Sequence, residues 1–314
     1  MLTNIPSILV FPVRRSTAPP FWTNDGTHPL PSSDRDSPLL LTADADGCLS
    51  TYQLQLSRTL HPTLQSLGSV SCGKPTDTSG VVMSLSLDIS DKKNRGRQVV
   101  SSLSNGETVL LSHAQDGSLA LRHRWLAHDY EAWTCGFDYW QPDTLLTGVS
   151  LSLPNVCVCV CVGLFSFFLF LENRFGGGVT AIRSHEAREH LYAKAERRLI
   201  KERGDDDSYD GHVRLFDGRN MGTSVAKEDV GGGVWRLKWH PELPDRLLLA
   251  CMHAGFLVLD FPLPPLPAKV VSHVSHLASL AYGVDWSSSS NSGHSSLLAG
   301  CSFYDKTIHL WSLP

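Results

Sequence analysis

Four polar residues have the side-chain types and positions needed for acid–base chemistry: His128, Glu131, Arg236 and His253. A histidine such as His253 or His128 can act as a general base near neutral pH, because its ordinary pKa lies close to that range. Glu131 or Asp285 can orient such a base, and Arg236 can bind an anionic intermediate. The set suits a reaction in which a proton moves and negative charge develops.

Large aromatic side chains occur in the same stretches of sequence. Trp133, Trp235, Tyr282 and Tyr304 are the candidates for contact with a substrate. The alternative for each tryptophan is core or rim packing, since aromatic residues dominate buried area. We expect Trp235 to support the fold, so that Trp235→Ala costs about 3 to 5 kcal/mol. We expect Arg236→Ala to lower activity and leave the melting temperature nearly unchanged.

Several other chemistries lose support from the sequence. No Gly-x-Ser-x-Gly elbow is present, which removes the usual sign of an α/β-hydrolase. Ser302 could be a nucleophile, but the apolar run before it favours a strand end. His185 and His190 are five residues apart, which does not match the zincin spacing of four, so we predict no metal site. The sequence indicates no cofactor.

Bulk composition indicates a globular protein with enough apolar residues for a large core. The chain has 314 residues, 42% of them hydrophobic and 18% charged, and a formal net charge of -4. This balance does not favour direct nucleic-acid binding, which usually requires a clustered basic surface. Eight cysteines, several inside apolar runs, and the lack of a secretory signal in residues 1–16 predict a cytoplasmic protein.

The stretch 231–260 shows how the candidate residues are positioned. Val234, Arg236 and Lys238 alternate with Trp235, Leu237 and Trp239, and this period of two predicts a strand with one buried face. His240-Pro241 ends the strand, and two further short strands follow, at 247–251 and 256–259. Three strands joined by tight turns make most of a propeller blade.

The same unit recurs along the chain. Asp46-Gly47 and Asp116-Gly117 are hairpin turns between strands, and turn glycines such as Gly211 and Gly255 repeat with a period in the forties. Four-stranded units at that period predict an all-β WD40-type propeller of nominally seven blades, with an incomplete ring as the alternative. In this arrangement Asp116, Asp210 and Asp305 are turn residues of the fold. We assign 38–314 to the propeller and 1–37 to a Pro-rich, poorly ordered segment.

Two segments interrupt the repeat. Residues 149–175 contain a strict Val-Cys alternation and a long apolar run, which translated non-coding sequence would produce and a buried strand could also explain. Residues 194–207 are highly charged and suit either a helical surface excursion or a second splicing irregularity. A membrane anchor depends only on the apolar run at 156–171, which is shorter than a typical spanning helix. We expect no membrane partner.

Several longer strings resemble one family specifically. They are Gly-Gly-Gly-Val-Trp-Arg-Leu-Lys-Trp-His-Pro from 231, Ala-Cys-Met-His from 250, Ser-Leu-Ala-Tyr-Gly-Val-Asp-Trp from 279, Cys-Ser-Phe-Tyr-Asp from 301, His-Asp-Tyr-Glu-Ala-Trp from 128 and Ser-Tyr-Asp-Gly from 208. With them the chain resembles the WD-repeat diphthine methylesterases of diphthamide biosynthesis over most of 38–314. The sequence departs from the family pattern at the amino end and at 149–175.

The resemblance implies a carboxylic ester hydrolase with a protein substrate. In that family the implied reaction removes the methyl ester of diphthine on translation elongation factor two and leaves a carboxylate. The resemblance therefore implies elongation factor two as partner, and we expect a monomer. A non-catalytic WD-repeat scaffold for protein–protein interaction is the competing hypothesis, because fold does not determine function.

Overall fold

The computed structural model describes thirteen stretches of the chain. These are residues 11–13, 39–55, 63–73, 82–90, 98–114, 116–141, 144–149, 156–162, 173–175, 178–197, 210–262, 267–286 and 296–313. Every regular element in them is a β-strand, as the alternating sequence pattern predicts. In these stretches, no helix has the length and apolar character required to cross a membrane.

The strands of the described stretches form six antiparallel sheets in chain order, five with four strands and one with three. The first two sheets contain β1 (Phe11–Val13), β2 (Leu39–Ala43), β3 (Cys48–Gln55) and β4 (Thr63–Ser71), then β5 (Ser84–Ile89), β6 (Gln98–Leu103), β7 (Glu107–His113) and β8 (Leu119–Leu126). The third contains β9 (Ala132–Phe137), β10 (Thr144–Val149), β11 (Val156–Val162) and β12 (Asn173–Phe175).

The remaining sheets repeat this plan. The fourth contains β13 (Gly178–Ser184), β14 (Leu191–Arg197), β15 (His212–Asp217) and β16 (Asn220–Asp229), and the fifth contains β17 (Arg236–Trp239), β18 (Arg246–Ala250), β19 (Phe256–Asp260) and β20 (Lys269–Val274). The sixth contains β21 (Ala281–Trp286), β22 (Ser296–Ser302) and β23 (Ile308–Leu313). Each sheet pairs strands that follow one another in sequence, which short hairpin connections favour.

Where the structure describes them, tight turns between neighbouring strands help to fix the register of the sheets. Gly255, between β18 and β19, has φ +86°, and a Cβ atom there would lie 2.1 Å from the carbonyl oxygen of Val274. Only glycine tolerates both the left-handed backbone and that close approach. Asp116 accepts a hydrogen bond from the Ser118 amide at 2.9 Å, confirming its turn role.

Buried apolar clusters lie between successive sheets and create a β-propeller arrangement. Five clusters fill the five junctions from the first sheet to the sixth; one joins Leu215 of β15 to Leu247 of β18, and another joins Phe256 of β19 to Trp286 of β21. In the described stretches no such cluster joins the sixth sheet to the first. The described stretches therefore do not show the predicted seven blades. They contain five four-stranded blades and one three-stranded sheet.

The first strands of the second to sixth sheets lie innermost. Strands β5, β9, β13, β17 and β21 contact one another in succession around a central axis. This position corrects the prediction of a single buried face for the 234–239 stretch. Leu237 and Trp239 are buried in the core, and Arg236 is also buried because its face of β17 points toward the axis.

The segments that interrupt the sequence repeat take part in pairing. In the 149–175 segment, β11 pairs with β10 and with β12, so the Val-Cys run supplies the third strand of a blade. In the 194–207 segment, Lys194 to Arg197 continue β14, and Lys194 is fully buried with its ammonium over the Phe216 ring. The predicted charged excursion therefore does not begin at Lys194, and residues 198–207 lie outside the described stretches.

The short strand β1 lies inside the segment 1–37 that composition predicts to be poorly ordered. Its three residues pair with Leu39 to Leu41 of β2. The rest of the 1–37 segment lies outside the described residues.

Candidate functional site

One face of the propeller, where β9, β17 and β21 begin, carries a continuous line of aromatic rings, and we call this face the mouth. The ring centroids of Trp133 and Trp235 are 5.4 Å apart, and those of Trp235 and Tyr282 are 5.3 Å apart. Phe303 follows at 4.9 Å from Tyr282, and Tyr304 at 5.0 Å from Phe303. These five residues are called the aromatic row.

The aromatic row contains all four aromatic residues predicted from the sequence to contact a substrate. Trp133, Trp235 and Tyr282 come from three different sheets, which places them around the central axis at the mouth. They are half-buried, and Tyr304 is 72% exposed. Partial exposure of large rings is expected of binding surfaces more than of cores. Phe303, which sequence reasoning missed, joins the row because its amide donates to Leu280 and holds this turn against β21.

Glu131 lies at one end of the aromatic row. Its Oε2 atom accepts a hydrogen bond from Trp133 Nε1 at 3.1 Å, and its side chain is exposed to solvent. The same connecting segment carries Asp129 and Tyr130, which are also exposed. The predicted carboxylate therefore does lie beside a predicted substrate contact.

Arg236 lies beneath the aromatic row. Its guanidinium carbon is 5.5 Å from the centroid of the Trp235 ring, within the range of a cation–π contact. Nη1 donates to the carbonyl oxygens of Trp235 at 3.0 Å and of Thr180 at 3.4 Å, and Nη2 donates to that of Leu85 at 3.1 Å. Leu85 belongs to the second sheet and Arg236 to the fifth, so the side chain spans the central axis.

These contacts correct the expectation that Arg236 is dispensable for folding. Its side chain is 9% exposed and links the backbones of three sheets, whereas Trp235 is only half-buried. Burial lowers the pKa of Arg236, and the nearby Tyr282 opposes that shift. A guanidinium remains charged in proteins, so a positive charge is held just below the mouth.

Further charged side chains lie deeper along the axis. Lys238 Nζ is 3.4 Å from Asp285 Oδ2, and burial lowers the pKa of Lys238. Arg183 donates from Nη1 to the carbonyl oxygens of Cys135 at 2.5 Å and Ile182 at 2.9 Å. Asp88 accepts from the Phe137 amide at 2.9 Å. Asp285, predicted as an orienting carboxylate, is thus engaged by a lysine below the mouth.

His128 is buried within the third blade. Its Nε2 lies 3.0 Å from Thr147 Oγ1 on β10, and only 7% of the residue is exposed. Burial lowers the pKa of His128 to about 4, so the imidazole is neutral at pH 7. This setting suits a residue that holds the blade together, and its predicted role as a base stays a prediction.

His253 lies in the turn between β18 and β19 and is exposed. The residue before it, Met252, forms an isolated bridge with Ala281, next to Tyr282 of the aromatic row. The Ala281 amide donates to the Met252 carbonyl oxygen at 3.0 Å. The turn therefore faces the mouth from the fifth blade, as the blade geometry predicts.

The remaining polar candidates have partners inside their own blades. Asp210 accepts from the His212 amide at 3.1 Å and forms an ion pair with Arg214. Asp305 accepts from the Ser302 hydroxyl, and Ser302 Oγ also lies 2.6 Å from Thr307 Oγ1. Ser302 is 5% exposed and ends β22, which agrees with the prediction of a strand end.

Thiol and metal chemistry have little structural basis in the described stretches. Burial raises the pKa of the Cys135 thiol to about 11, and the pKa of Cys251 is raised further by the same cause. Thiols with raised pKa values are poor nucleophiles. No cluster of three or more histidine, cysteine or acidic residues suited to a metal ion occurs among the residues that the structure describes.

The mouth thus combines three properties in a small space. It has ring surfaces that can hold an apolar or cationic group, an exposed carboxylate at Glu131, and a buried positive charge at Arg236 that can stabilise a developing oxyanion. Six of the eight predicted site residues belong to this arrangement: Glu131, Trp133, Trp235, Arg236, Tyr282 and Tyr304. His253 faces it from a neighbouring turn, and His128 lies apart within its blade.

Comparison with solved structures supports the fold. The chain resembles a chain of the mitotic checkpoint complex (TM-score 0.58, 13% identity, 87% of this chain and 72% of that chain). It also resembles Chaetomium thermophilum Sqt1 bound to the N-terminus of ribosomal protein L10 (TM-score 0.54, 12% identity, 88% of this chain and 69% of that chain). A third similar structure is Chaetomium thermophilum Raptor (TM-score 0.57, 12% identity, 86% of this chain and 23% of that chain). At these identities the likeness concerns the fold alone.

Comparison with curated proteins gives closer relationships. The chain is 34% identical over 259 residues to the human diphthine methyltransferase, covering 79% of this chain and 52% of that protein. It is 31% identical to the Dictyostelium discoideum homolog, covering 74% of this chain and 63% of that protein. It is 29% identical to the Schizosaccharomyces pombe protein, covering 89% of this chain and 76% of that protein. The chain spans about half the length of the human relative. No protein-family profile matches the chain. The similarity is thus to curated proteins named diphthine methyltransferase.

Proposed function

We propose that this chain hydrolyses the methyl ester of diphthine on translation elongation factor two, a step of diphthamide biosynthesis. The homologues named diphthine methyltransferase support an action on a methyl group of this substrate. The observation that carries the hydrolytic direction is Arg236, a buried cation beneath partly exposed rings. Such a cation stabilises the oxyanion that forms when water attacks an ester carbonyl.

The proposed reaction consumes one water molecule. The water oxygen bonds to the ester carbonyl carbon and the base takes one water proton. The bond from that carbon to the methoxy oxygen breaks, and the methoxy oxygen receives this proton and leaves as methanol. The second water proton is released to solvent when the product acid ionises to a carboxylate. Glu131 is the proposed general base, because it is the exposed carboxylate that touches the aromatic row. His253 is the alternative base on the same face.

Arg236 has donor capacity left for the oxyanion. A guanidinium has five N–H donors, and three hydrogen bonds to carbonyl oxygens engage the two terminal nitrogens. Among the residues that the structure describes, these bonds leave Nε and one terminal N–H available for another acceptor. A fixed donor of this kind needs no reorganisation during the reaction, which is the basis of electrostatic catalysis.

The other features of the proposal follow from the family resemblance and from the composition of the chain. The protein would be a carboxylic ester hydrolase with a WD40-type propeller of nominally seven blades, with an incomplete ring as the alternative. Elongation factor two would be its protein partner, with no direct contact to nucleic acid or membrane. It would act in the cytoplasm as a monomer and without a cofactor.

The test incubates the purified protein with elongation factor two that carries methylated diphthine and measures methanol release. We expect methanol to appear and the factor to lose the mass of one methylene. Glu131→Gln should slow release by about a hundredfold or more, which is the usual contribution of a general base. Glu242→Gln is the matched control, because Glu242 is exposed in the connection between β17 and β18.

Two outcomes contradict the proposal. If the folded protein binds elongation factor two and releases no methanol, the chain is the WD-repeat scaffold of the competing hypothesis. If the factor gains a methylene when S-adenosylmethionine is supplied, the reaction runs as a transfer. Loss of activity in His253→Gln with full activity in Glu131→Gln moves the base to the β18–β19 turn.

A further inference from the structure

We propose that His185 and His240 form two acid-sensitive caps on the face of the propeller opposite the mouth. Each histidine directly follows a first strand, β13 or β17, and each contacts the next blade in chain order. In the neutral form the two imidazoles hold their own turns and two blade junctions closed. Protonation opens both, independently of what the mouth binds.

His185 joins the fourth blade to the fifth. Its Nδ1 accepts hydrogen bonds from the backbone amides of Ala187 and Arg188, both at 2.9 Å. Its Nε2 lies 2.5 Å from the carbonyl oxygen of Pro244, which precedes β18 of the fifth blade. The imidazole also packs on Trp239 of β17, with ring centroids 4.4 Å apart, and the residue is only 1% exposed.

His240 repeats this arrangement between the fifth and sixth blades. Its Nδ1 accepts from the amides of Glu242 and Leu243, both at 3.0 Å. Its Nε2 lies 2.9 Å from Oγ of Ser296, the first residue of β22. The ring packs on Trp286 with centroids 4.5 Å apart, and the residue is buried. The same imidazole atoms therefore make the same kinds of contact at both junctions.

The hydrogen bonds require both imidazoles to be neutral. A nitrogen that accepts from two amide N–H groups carries no proton, so the single ring proton is on Nε2 and points to the next blade. A second proton would enter at Nδ1, where it would face two N–H donors. Protonation therefore breaks two hydrogen bonds at each cap. Attraction between an imidazolium and the tryptophan ring offsets part of this loss but gives the two amides no acceptor.

The surroundings of His185 favour its neutral form. Burial is the main cause that lowers the pKa of His185, and the charge of Arg188 lowers it further. The hydrogen bond with Pro244 and the carboxylates of Glu186 and Asp245 act in the opposite direction. Arg188 and Asp245 form an ion pair across the junction, so their effects partly cancel. The net result is a lowered pKa.

The surroundings of His240 have the same effect. Burial lowers the pKa of His240, Arg246 lowers it further, and Glu242 and Asp260 oppose the shift. Arg246 donates to Asp260 at 2.7 Å, so these two charges partly compensate. The contacts from the sixth blade, given above, are with neutral side chains. Because a released imidazole binds a proton more readily than a closed one, both caps weaken as the pH falls below the ordinary histidine pKa.

The third blade has the same cap with a carboxylate in place of the imidazole. Asp138 directly follows β9, and its Oδ1 accepts from the amides of Trp140 at 2.9 Å and Gln141 at 3.4 Å. These are the second and third residues after the cap, as in the histidine turns. The hydroxyl of Ser184, next to His185, also donates to this oxygen at 3.4 Å, so the carboxylate faces the fourth blade. This turn has no imidazole to protonate and serves as an internal reference.

The test is amide hydrogen exchange of the full chain at about pH 7.5 and about pH 5.5, with each rate divided by that of an unfolded chain at the same pH. We expect the protection of the four amides capped by His185 and His240 to fall by up to about tenfold, the ratio for a released imidazole with an ordinary pKa of about 6.5. The two amides capped by Asp138 should change much less. Equal changes at both kinds of cap, or none at either, overturn the proposal.

A variant assigns the effect to the imidazole. In His240→Asn the side-chain oxygen can accept from the same two amides and does not titrate, so protection at Glu242 and Leu243 should no longer depend on pH in this range. His276→Asn is the matched control, because His276 is exposed, and both caps should stay acid-sensitive in it. Acid sensitivity that persists at Glu242 and Leu243 in His240→Asn overturns the role of His240. The unmodified chain alone decides whether the caps respond to acid, even if a variant fails to fold.

Discussion

Replacement of Arg236 by methionine tests whether this side chain links the blades as well as serving the mouth. Methionine keeps similar length and removes the charge together with all N–H donors. The carbonyl oxygens of Leu85 and Thr180, which belong to two other sheets, then lose their guanidinium donor. Each buried acceptor left without a donor costs about 1 to 3 kcal/mol.

The net effect is smaller than the sum of these losses. Burying a guanidinium is itself unfavourable, and methionine removes that penalty. We therefore expect Arg236→Met to lower the free energy of unfolding by about 2 to 4 kcal/mol. For a chain of this size the melting temperature should fall by about 3 to 6 °C.

Urea denaturation followed by tryptophan fluorescence measures the change, with thermal unfolding as the second readout. Arg219→Met is the matched control, because the Arg219 side chain is 71% exposed and contacts only the turn carboxylate of Asp217 among the contacts seen in the described stretches. We expect the control to unfold like the unmodified protein. If Arg236→Met unfolds at the same urea concentration as the control, the bridging account of Arg236 is wrong.

Three further predictions follow from other parts of the structure. Because burial lowers the pKa of His128 to about 4, the unfolded chain binds more protons than the folded one between about pH 6.5 and pH 4. Stability should fall as the pH drops through that window, by about 3 kcal/mol, and urea titrations of His128→Gln should show a flatter dependence. Gly255→Ala should destabilise by more than about 1 kcal/mol because of the positive φ and the Val274 carbonyl, whereas Gly68→Ala, with open space around its Cβ position, should not. Glu131→Gln should retain the thermal stability of the unmodified protein while losing methanol release, and equal losses of both would show a structural role.

The blade architecture could be predicted in detail where turn chemistry and periodicity agree. Strands β18 and β19 occur within one residue of their predicted bounds, because glycine in the turn and alternating apolar residues specify the same hairpin. The turn that contains Asp305 was predicted in the same way, from residues that lie close together in the sequence. These features depend on neighbours in sequence, which a single sequence displays directly.

The burial of the inner strands could not be predicted in the same way. An alternating pattern at 234–239 indicates one polar face, but that face of β17 points to the central axis, where other sheets cover it. Whether Arg236 is exposed depends on Leu85, which lies far away in sequence and in another sheet. Tertiary structure alone brings these groups together.

The candidate site also contains residues whose positions the sequence predicted and residues whose positions only the structure shows. Trp133, Trp235 and Tyr282 lie close together, as expected for the starts of first strands, and their role as substrate contacts stays a prediction. Phe303 was missed, since its place in the row depends on backbone pairing with Leu280. His128 has the residue type of a base, but only the structure shows its burial against Thr147.

The most direct test of hydrolysis at the mouth is the reaction in oxygen-labelled water. Elongation factor two bearing methylated diphthine is incubated with the purified chain, and the modified peptide is examined by mass spectrometry. The account predicts that the product carboxylate contains one labelled oxygen, that methanol is released without label, and that Glu131→Gln greatly slows both. A carboxylate without label, or a peptide that gains a methyl group, would contradict it.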